Sequence, residues 1–348
     1  ALAQLRISRE SLPSSAVLIC VLSSELRPSD PQSLLKGLKK AIGLKSNKND
    51  EIVPDTGRCA TSFLVMSKAQ QILEKGTTPM CIVVVVNMIS FKGTIVVARS
   101  AFSQTQSRPF GKDRDGFART EAASTFILTS DEYGSEHKLP VLGKIMSVVG
   151  RHYQPNEAKT FFPNSSNNGY SPQAFAMAEA FEKAGLRPKD IAYLELHGPA
   201  TKEGDIEECD AMKSVFCQES RESDLYAGML TATVGNTELC YGLVGMLKVL
   251  MTLNWGMVPG CMESKSAYEF DSECDVSALP NVCVPKDTQA ALQWIRRAAE
   301  SHDPSAQCHL GVYYGDGMLG LAKDDQEAAK WTRLAAEQGD ANAQYNLG

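Results

Sequence analysis

Nothing in the 348 residues approaches a membrane span: the longest apolar runs, Val17 to Leu22 and Cys81 to Val86, fall far short of the roughly 20 residues a span needs. The sequence has no CxxC pair and only five histidines, and its ten cysteines stand singly, so zinc-site spacing is absent and no metal is expected. Positive charge is in deficit. Thirty-five Lys and Arg against 41 Asp and Glu leave a net −6, which gives polyanions no general attraction and removes nucleic acid as a partner. Neither Gly (26) nor Pro (16) is in excess, and 43% hydrophobic residues support a packed core, excluding collagen-like and disordered readings. Scattered thiols without pairing suit a reducing compartment, cytoplasm or organelle matrix. There is no initiator Met and no secretory signal pattern, and Ala341 to Gly348 stop inside a recurring pattern, so a piece of something longer is expected.

What is present begins with a repeat. Ala291-Leu-Gln-Trp294 and Arg297-Ala-Ala-Glu300 recur as Ala328-Ala-Lys-Trp331 and Leu334-Ala-Ala-Glu337, and Ala306 to Gly311 recurs as Ala343 to Gly348. Such a period with Ala and Trp at helical spacing indicates stacked helix pairs. Trp294 and Trp331 are expected at equivalent buried places, and Ala298-Ala299 and Ala335-Ala336 at close helix approaches. Gly311 and Gly339 are expected to end helices. From Asp287 to Gly348 nine Asp or Glu stand against five Lys or Arg, which favours a basic or neutral partner.

Upstream, apolar and β-branched runs predict strands at Met80–Val86, Ser124–Thr129, Lys144–Val149, Ile191–Leu196 and Leu225–Leu230. Helical stripes predict helices at Cys59–Leu73, Pro172–Ala184, Ile206–Phe216 and Leu239–Leu253. Gln104–Gly116, Asp131–Lys138 and Asn164–Ser171 read as loops. Strand and helix in alternation argue for a layered α/β fold.

Three segments carry chemistry. Cys59 opens a helical stripe with apolar or small residues at 63, 66, 69 and 73; a helix N-terminus and Arg58 beside it would favour the thiolate, which makes an activated nucleophile of it. A cysteine chosen blind is more often buried packing. His197 sits at the exit of an apolar strand, where α/β folds present catalytic groups, although a lone strand-end histidine is more often structural. Asn236 lies in Thr233-Val-Gly235-Asn236-Thr-Glu238, ahead of a helix whose Gly242 and Gly245 permit close packing; alone it reads as a turn residue.

Together with Arg108-Pro-Phe110, Arg114-Asp115-Gly116-Phe117 and Glu121, these segments resemble the condensing enzymes of the β-ketoacyl synthase family. Cys59-Ala60-Thr61-Ser62, Val86-Asn87, His197-Gly198, Thr201, Gly204-Asp205, Gly235 and Thr237-Glu238 match the family's pattern in order and spacing, from about Asp55 to Pro285. The C-terminal pattern resembles the Sel-one-like repeat, a relative of the tetratricopeptide repeat. The resemblance implies a thiolase-like layered α/β fold, incomplete at both ends, over residues 1–285, followed by a short all-α helical-repeat solenoid over 286–348.

The activity so implied is decarboxylative Claisen condensation in fatty acid or polyketide synthesis. Cys59 would accept an acyl group from a carrier-protein thioester, and His197 and Asn236 would donate to the enolate as malonyl-carrier loses carbon dioxide. Thr201 matches a threonine near the phosphopantetheine arm on which an acyl carrier protein delivers the substrate; no bound cofactor is expected. A homo- or heterodimer is implied, with a protein partner on the repeats. Asn236 stands where this branch has a second histidine and Thr231 where it has a lysine, but Cys-His-Asn serves related synthases because an amide also donates. Pro199 and Ala200 replace Thr-Gly, Thr120 and Ala122 replace glycines, and no Gly-Phe-Gly-Gly follows Asn236. The alternative is a catalytically degenerate scaffold or partner subunit that binds other proteins through its repeats.

Overall fold

The structure, a computed structural model, describes residues 12–13, 15–23, 30–54, 58–88, 103, 107–150, 172–221, 223–255, 258–260, 269–284, 296, 299–300, 302, 304–317, 321–339 and 343–344. Among these the strands are β1 (Val17–Leu22), β2 (Glu51–Val53), β3 (Met80–Asn87), β4 (Ala122–Thr129), β5 (Tyr193–Leu196), β6 (Leu225–Met229) and β7 (Val282–Cys283). The helices are α1 (Pro31–Ile42), α2 (Thr61–Glu74), α3 (Asp131–Glu136), α4 (Pro172–Ala184), α5 (Lys202–Phe216), α6 (Thr231–Val234), α7 (Tyr241–Trp255), α8 (Pro304–Asp316) and α9 (Asp325–Glu337).

Two sheets form. The first has the order β2-β1-β3-β4, parallel except for the antiparallel β3–β4 pair, and the second is the parallel run β5-β6-β7. β1 is buried on both faces, and the two-residue strand period shares it between two cores. Val17, Ile19 and Val21 pack with Val65, Met66 and Ala69 of α2 and Leu243 of α7. Leu18 and Cys20 pack on the other face with Leu35 of α1. Truncating such a core residue as Ile19 to alanine costs about 2–5 kcal/mol, so these two layers dominate the first half.

Local signals account for the helices. Asp30 Oδ1 accepts from the N–H groups of Gln32 and Ser33 at 3.1 Å each, Pro31 opens α1, and Gly43 at φ 80° closes it. α2 and α7 approach closely at Gly242, where a Cβ would lie 2.7 Å from the Phe63 ring and 3.0 Å from Ser62 Cβ. Hence the glycine in that helix. Leu196, Met212, Ala227 and Met229 fill the core between β5, β6 and α5, while Ala174, Val215 and Phe216 bury α4.

The expected helices and four of the five expected strands form. Lys144–Val149 is not a strand: it runs without ladder partners, Val148 N–H donates to Gln70 Oε1 of α2 at 2.9 Å, and Met146 stays exposed. Its β-branched residues seat a strap instead of a sheet. The loop expected over Asp131–Lys138 contains α3, capped by Ser130. Asn164–Ser171 lies outside the described residues.

In the repeat, Trp331 packs with Ala299, Ala306 and Leu310, and its Nε1 donates to Glu327 Oε2 at 2.9 Å. Trp294 and Ala298 lie outside the described residues. Gly339, at φ 90°, follows α9 as expected. Gly311 does not end a helix. It lies inside α8, where a Cβ would collide with Thr332 and come within 3.0 Å of Ala328 O, so it is there to let α8 touch α9. No helix among the described residues is long and apolar enough to cross a membrane, and no cluster of three potential metal ligands occurs among them.

Candidate active site

Cys59 lies in a 3₁₀ turn, Arg58–Ala60, that leads into α2. Its thiol donates to Asn236 Oδ1 at 3.6 Å across 177 residues of sequence. Next to it Ser62 Oγ donates to Leu239 O, fastening the start of α2 to the turn that precedes α7. Asn236 is held by its backbone: its N–H donates to Ala118 O at 2.8 Å and its carbonyl accepts from Thr120 N at 3.0 Å. Gly235 ahead of it has φ 82° and no space for a Cβ, which would sit 2.8 Å from Ala118 O. Glu238 N–H donates to Asn236 Oδ1 at 2.7 Å. Only an oxygen can accept there, so the amide orientation is fixed and Nδ2 is the donor left over. Nδ2 is buried and has no hydrogen-bond partner among the described residues.

His197 stands at the end of β5. Its backbone N–H and that of Gly198 both donate to Glu208 of α5 at 2.7 Å. Its carbonyl accepts from Thr231 Oγ1 at 2.8 Å and from Tyr241 OH at 2.7 Å. The imidazole packs edge-on against the Tyr241 ring, with centroids 4.8 Å apart. Burial pushes its pKa down to about 4, so the ring is neutral near pH 7. Its Nε2 is sealed from solvent and unpaired among the described residues. A buried polar atom left without a partner is costly, and Asn236 Nδ2 is one such atom on a residue that contacts the Cys59 thiol.

The surrounding carboxylates shape loops. Asp205 accepts from Phe110 N at 2.6 Å and Ala200 N at 3.0 Å, tying the 107–117 loop to the start of α5, and Arg114 Nε lies 3.6 Å away. Desolvation pushes its pKa up to about 6 and that of Glu208 up to about 7, against the lowering by their backbone donors. Gly198, at φ 48°, lets the strand exit pass Pro109, whose Cβ would be 2.7 Å from an added Cβ.

Cys59 and Asn236 are thus in contact, and His197 is presented by the neighbouring sheet with its own sealed nitrogen. Thr201 precedes α5, its carbonyl accepting from Asp205 N at 3.0 Å. No described interaction ties it to Cys59 or Asn236. Thr231, in the lysine's place, is 1% exposed and spends its hydroxyl on His197 O and Tyr241 OH, leaving no room for a charge. Tyr241 was invisible in the sequence, since a tyrosine opening an apolar helix carries no local sign that its hydroxyl holds a histidine backbone 44 residues away.

The model of the β-ketoacyl synthase N-terminal domain matches residues 51–133 and that of its C-terminal domain residues 153–265, together more than half of the chain. The chain belongs to the β-ketoacyl synthase family. Sel1 repeats match residues 282–303 and 304–340. Similar proteins include the non-reducing polyketide synthase spyA of Aspergillus fumigatus, 31% identical over 206 residues, which are 58% of this chain and 11% of that one. The non-reducing polyketide synthase stbA of Stachybotrys bisbyi is 27% identical over 71% of this chain and 11% of its own length. The β-ketoacyl synthase chain therefore spans about a tenth of these relatives. In fold it is similar to an oxazolomycin ketosynthase domain of Streptomyces albus (TM-score 0.68, 19% identity, 82% of this chain and 52% of that chain). It is also similar to a ketosynthase from module 6 of the bacillaene synthase of Bacillus subtilis (TM-score 0.61, 19% identity, 78% and 49%). The layered α/β, thiolase-like reading of the fold and the helical repeat behind it both hold.

Proposed function

We propose that this β-ketoacyl synthase chain is a condensing acyltransferase of polyketide type, with Cys59 as acyl acceptor and His197 and Asn236 as enolate donors. The observation that carries this is the contact of the Cys59 thiol with Asn236, whose Nδ2, like His197 Nε2 at the end of β5, is sealed and unpaired among the described residues. In the reaction the sulfur attacks the acyl thioester of a phosphopantetheine carried by an acyl carrier protein, and the carrier thiol leaves. Malonyl-carrier then loses carbon dioxide, the two neutral donors hold the enolate oxygen, and the carbanion attacks the acyl carbonyl and releases Cys59. The neutral state of His197 suits this role, because a neutral imidazole keeps one N–H donor without placing a charge in a buried site. Thr201 is the residue assigned to the carrier arm. A reducing compartment keeps such a thiol available, and fatty acid synthesis is the less favoured setting, since the relatives above are polyketide synthases.

We keep the division drawn from the resemblance, 1–285 and 286–348: Val284, 6% exposed, packs in the core of the second sheet with Cys274 and Val276, although the Sel1 match itself begins at residue 282. The test is to incubate the chain with an acyl-CoA or acyl-loaded carrier, then map the acyl group by peptide mass spectrometry and follow carbon dioxide release from malonyl-carrier. Acylation of Cys59 in preference to the other cysteines, lost in Cys59→Ala, is the expected result. No acyl group on Cys59 and no carbon dioxide release, with a protein partner retained through the repeats, would leave the partner-subunit reading in its place.

A further inference from the structure

We propose that Arg119 and Glu238 are a positioning pair that decides which end of the Asn236 amide meets Cys59. The amide could present either its oxygen or its nitrogen to the thiol, and the two choices have opposite chemical meaning. Oxygen accepts the thiol proton; nitrogen would solvate a thiolate and no longer be available to a ligand. What makes the choice is the Glu238 N–H, 2.7 Å from Asn236 Oδ1. That N–H is aimed there because Glu238 adopts φ 46°, a left-handed conformation a glutamate rarely takes unless its surroundings impose it.

The imposing contact is a two-pronged one. Arg119 Nε donates to Glu238 Oε1 at 2.9 Å and Nη2 to Oε2 at 2.7 Å, and Asn87 Nδ2 adds a longer bond to Oε2 at 3.4 Å. The fork is largely shielded, with 14% of the Arg119 and 22% of the Glu238 side chain exposed, so solvent competes weakly for it. Arg119 is itself in register with the amide it controls, through a parallel bridge to Asn236 flanked by the Ala118 and Thr120 backbone bonds. Clamp and clamped residue therefore share one frame. The pair acts through Asn236, by way of the Glu238 N–H.

This inference rests on the acyl-transfer reading for its purpose, but its test does not need catalysis. The rate of Cys59 alkylation by iodoacetamide is followed against pH in the full chain by peptide mass spectrometry, with partly buried Cys283 as internal reference. Arg119→Met and Glu238→Gln both free the amide to turn its nitrogen to the sulfur. Both should lower the half-maximal pH of Cys59 alkylation by about half a unit or more, the size of a modest hydrogen bond. In an Asn236→Ala background neither substitution should move it. A through-space charge effect predicts opposite directions for the two variants, because one removes a cation and the other an anion; that outcome, or no shift in either, overturns the proposal. Should Arg119→Met fail to fold, Arg119→Lys keeps the charge and loses the fork, and a smaller shift in the same direction is expected of it. A chain that never acylates Cys59 still answers this question, and one that condenses normally with unshifted variants refutes the pair alone.

Discussion

Two buried polar clusters in this molecule differ in what they leave unpaired. Under β1, Lys39 is fully buried, and its ammonium donates to Asp50 Oδ1 (2.7 Å), Ala16 O (2.6 Å) and Lys45 O (2.9 Å), which uses all three protons. Asp50 in turn accepts from Leu18 N at 2.9 Å and Asn47 N at 2.6 Å. Around Cys59, by contrast, the Asn236 backbone is tied to Ala118 and Thr120 while His197 Nε2 and Asn236 Nδ2 remain unanswered among the described residues. A cluster closed on itself serves the fold. The cluster around Cys59 is not closed in this way: Thr120 Oγ1 and Thr237 Oγ1 in the same frame are likewise buried without a hydrogen bond among the described residues.

Breaking the closed cluster should have the largest effect on stability. Lys39→Met leaves the Asp50 carboxylate buried without its cation and should cost about 3–5 kcal/mol in urea unfolding, part of which returns when Asp50 is also replaced by an apolar residue. The open cluster should behave the other way round. Asn236→Ala, which takes the acceptor from the Glu238 N–H, should cost about 1–2 kcal/mol in unfolding, less than Lys39→Met, yet lower the decarboxylation rate by about 10²–10³, the usual loss for one such donor. A stability loss as large as that of Lys39→Met would place Asn236 among the structural residues.

A finer separation comes from pH. Glu208, pushed up to about 7 from an ordinary 4.5, contributes stability that is fully present below about pH 4.5 and lost as pH rises through about 7. His197, pushed down to about 4 from 6.5, contributes in the opposite sense: its share is fully present above about pH 6.5 and lost as pH falls through about 4. Between pH 4.5 and 6.5 the two slopes oppose. Unfolding midpoints measured across pH should show Glu208→Gln losing the decline toward pH 8 and His197→Gln losing the decline toward pH 4. Identical profiles for both variants and the parent would mean that neither group carries the charge behaviour its burial dictates.

How much of this was legible depended on distance along the chain. The strand Met80–Val86 and the helix from Cys59 to Leu73 emerge within a residue or two of β3 and α2, because each is announced by its own apolar period. Val17 to Leu22 was conspicuous only as an apolar run, and the Asp30-Pro31 start of α1 went unread although its cap is local. Lys144–Val149 misled because β-branched residues mark any extended backbone, paired or not. Cys59, His197 and Asn236 were found through the family resemblance, since no local rule joins residues so far apart. Arg119, Asp205 and Glu208 act on backbone N–H groups or side chains brought in by folding, and a carboxylate's partner is not written beside it in the sequence.

Three contacts that finish the site are long in sequence: Cys59 to Asn236 and Ser62 to Leu239 each span 177 residues, and Asn87 to Glu238 spans 151. Local contacts form early in folding and distant ones late, because each closure must first overcome chain entropy. On a ribosome, then, α2 and its thiol leave the tunnel long before residues 236–239 are made. During that interval the Cys59 thiol has no Asn236 to meet, so that contact forms only when the second half docks on the first and its appearance marks completion of the fold.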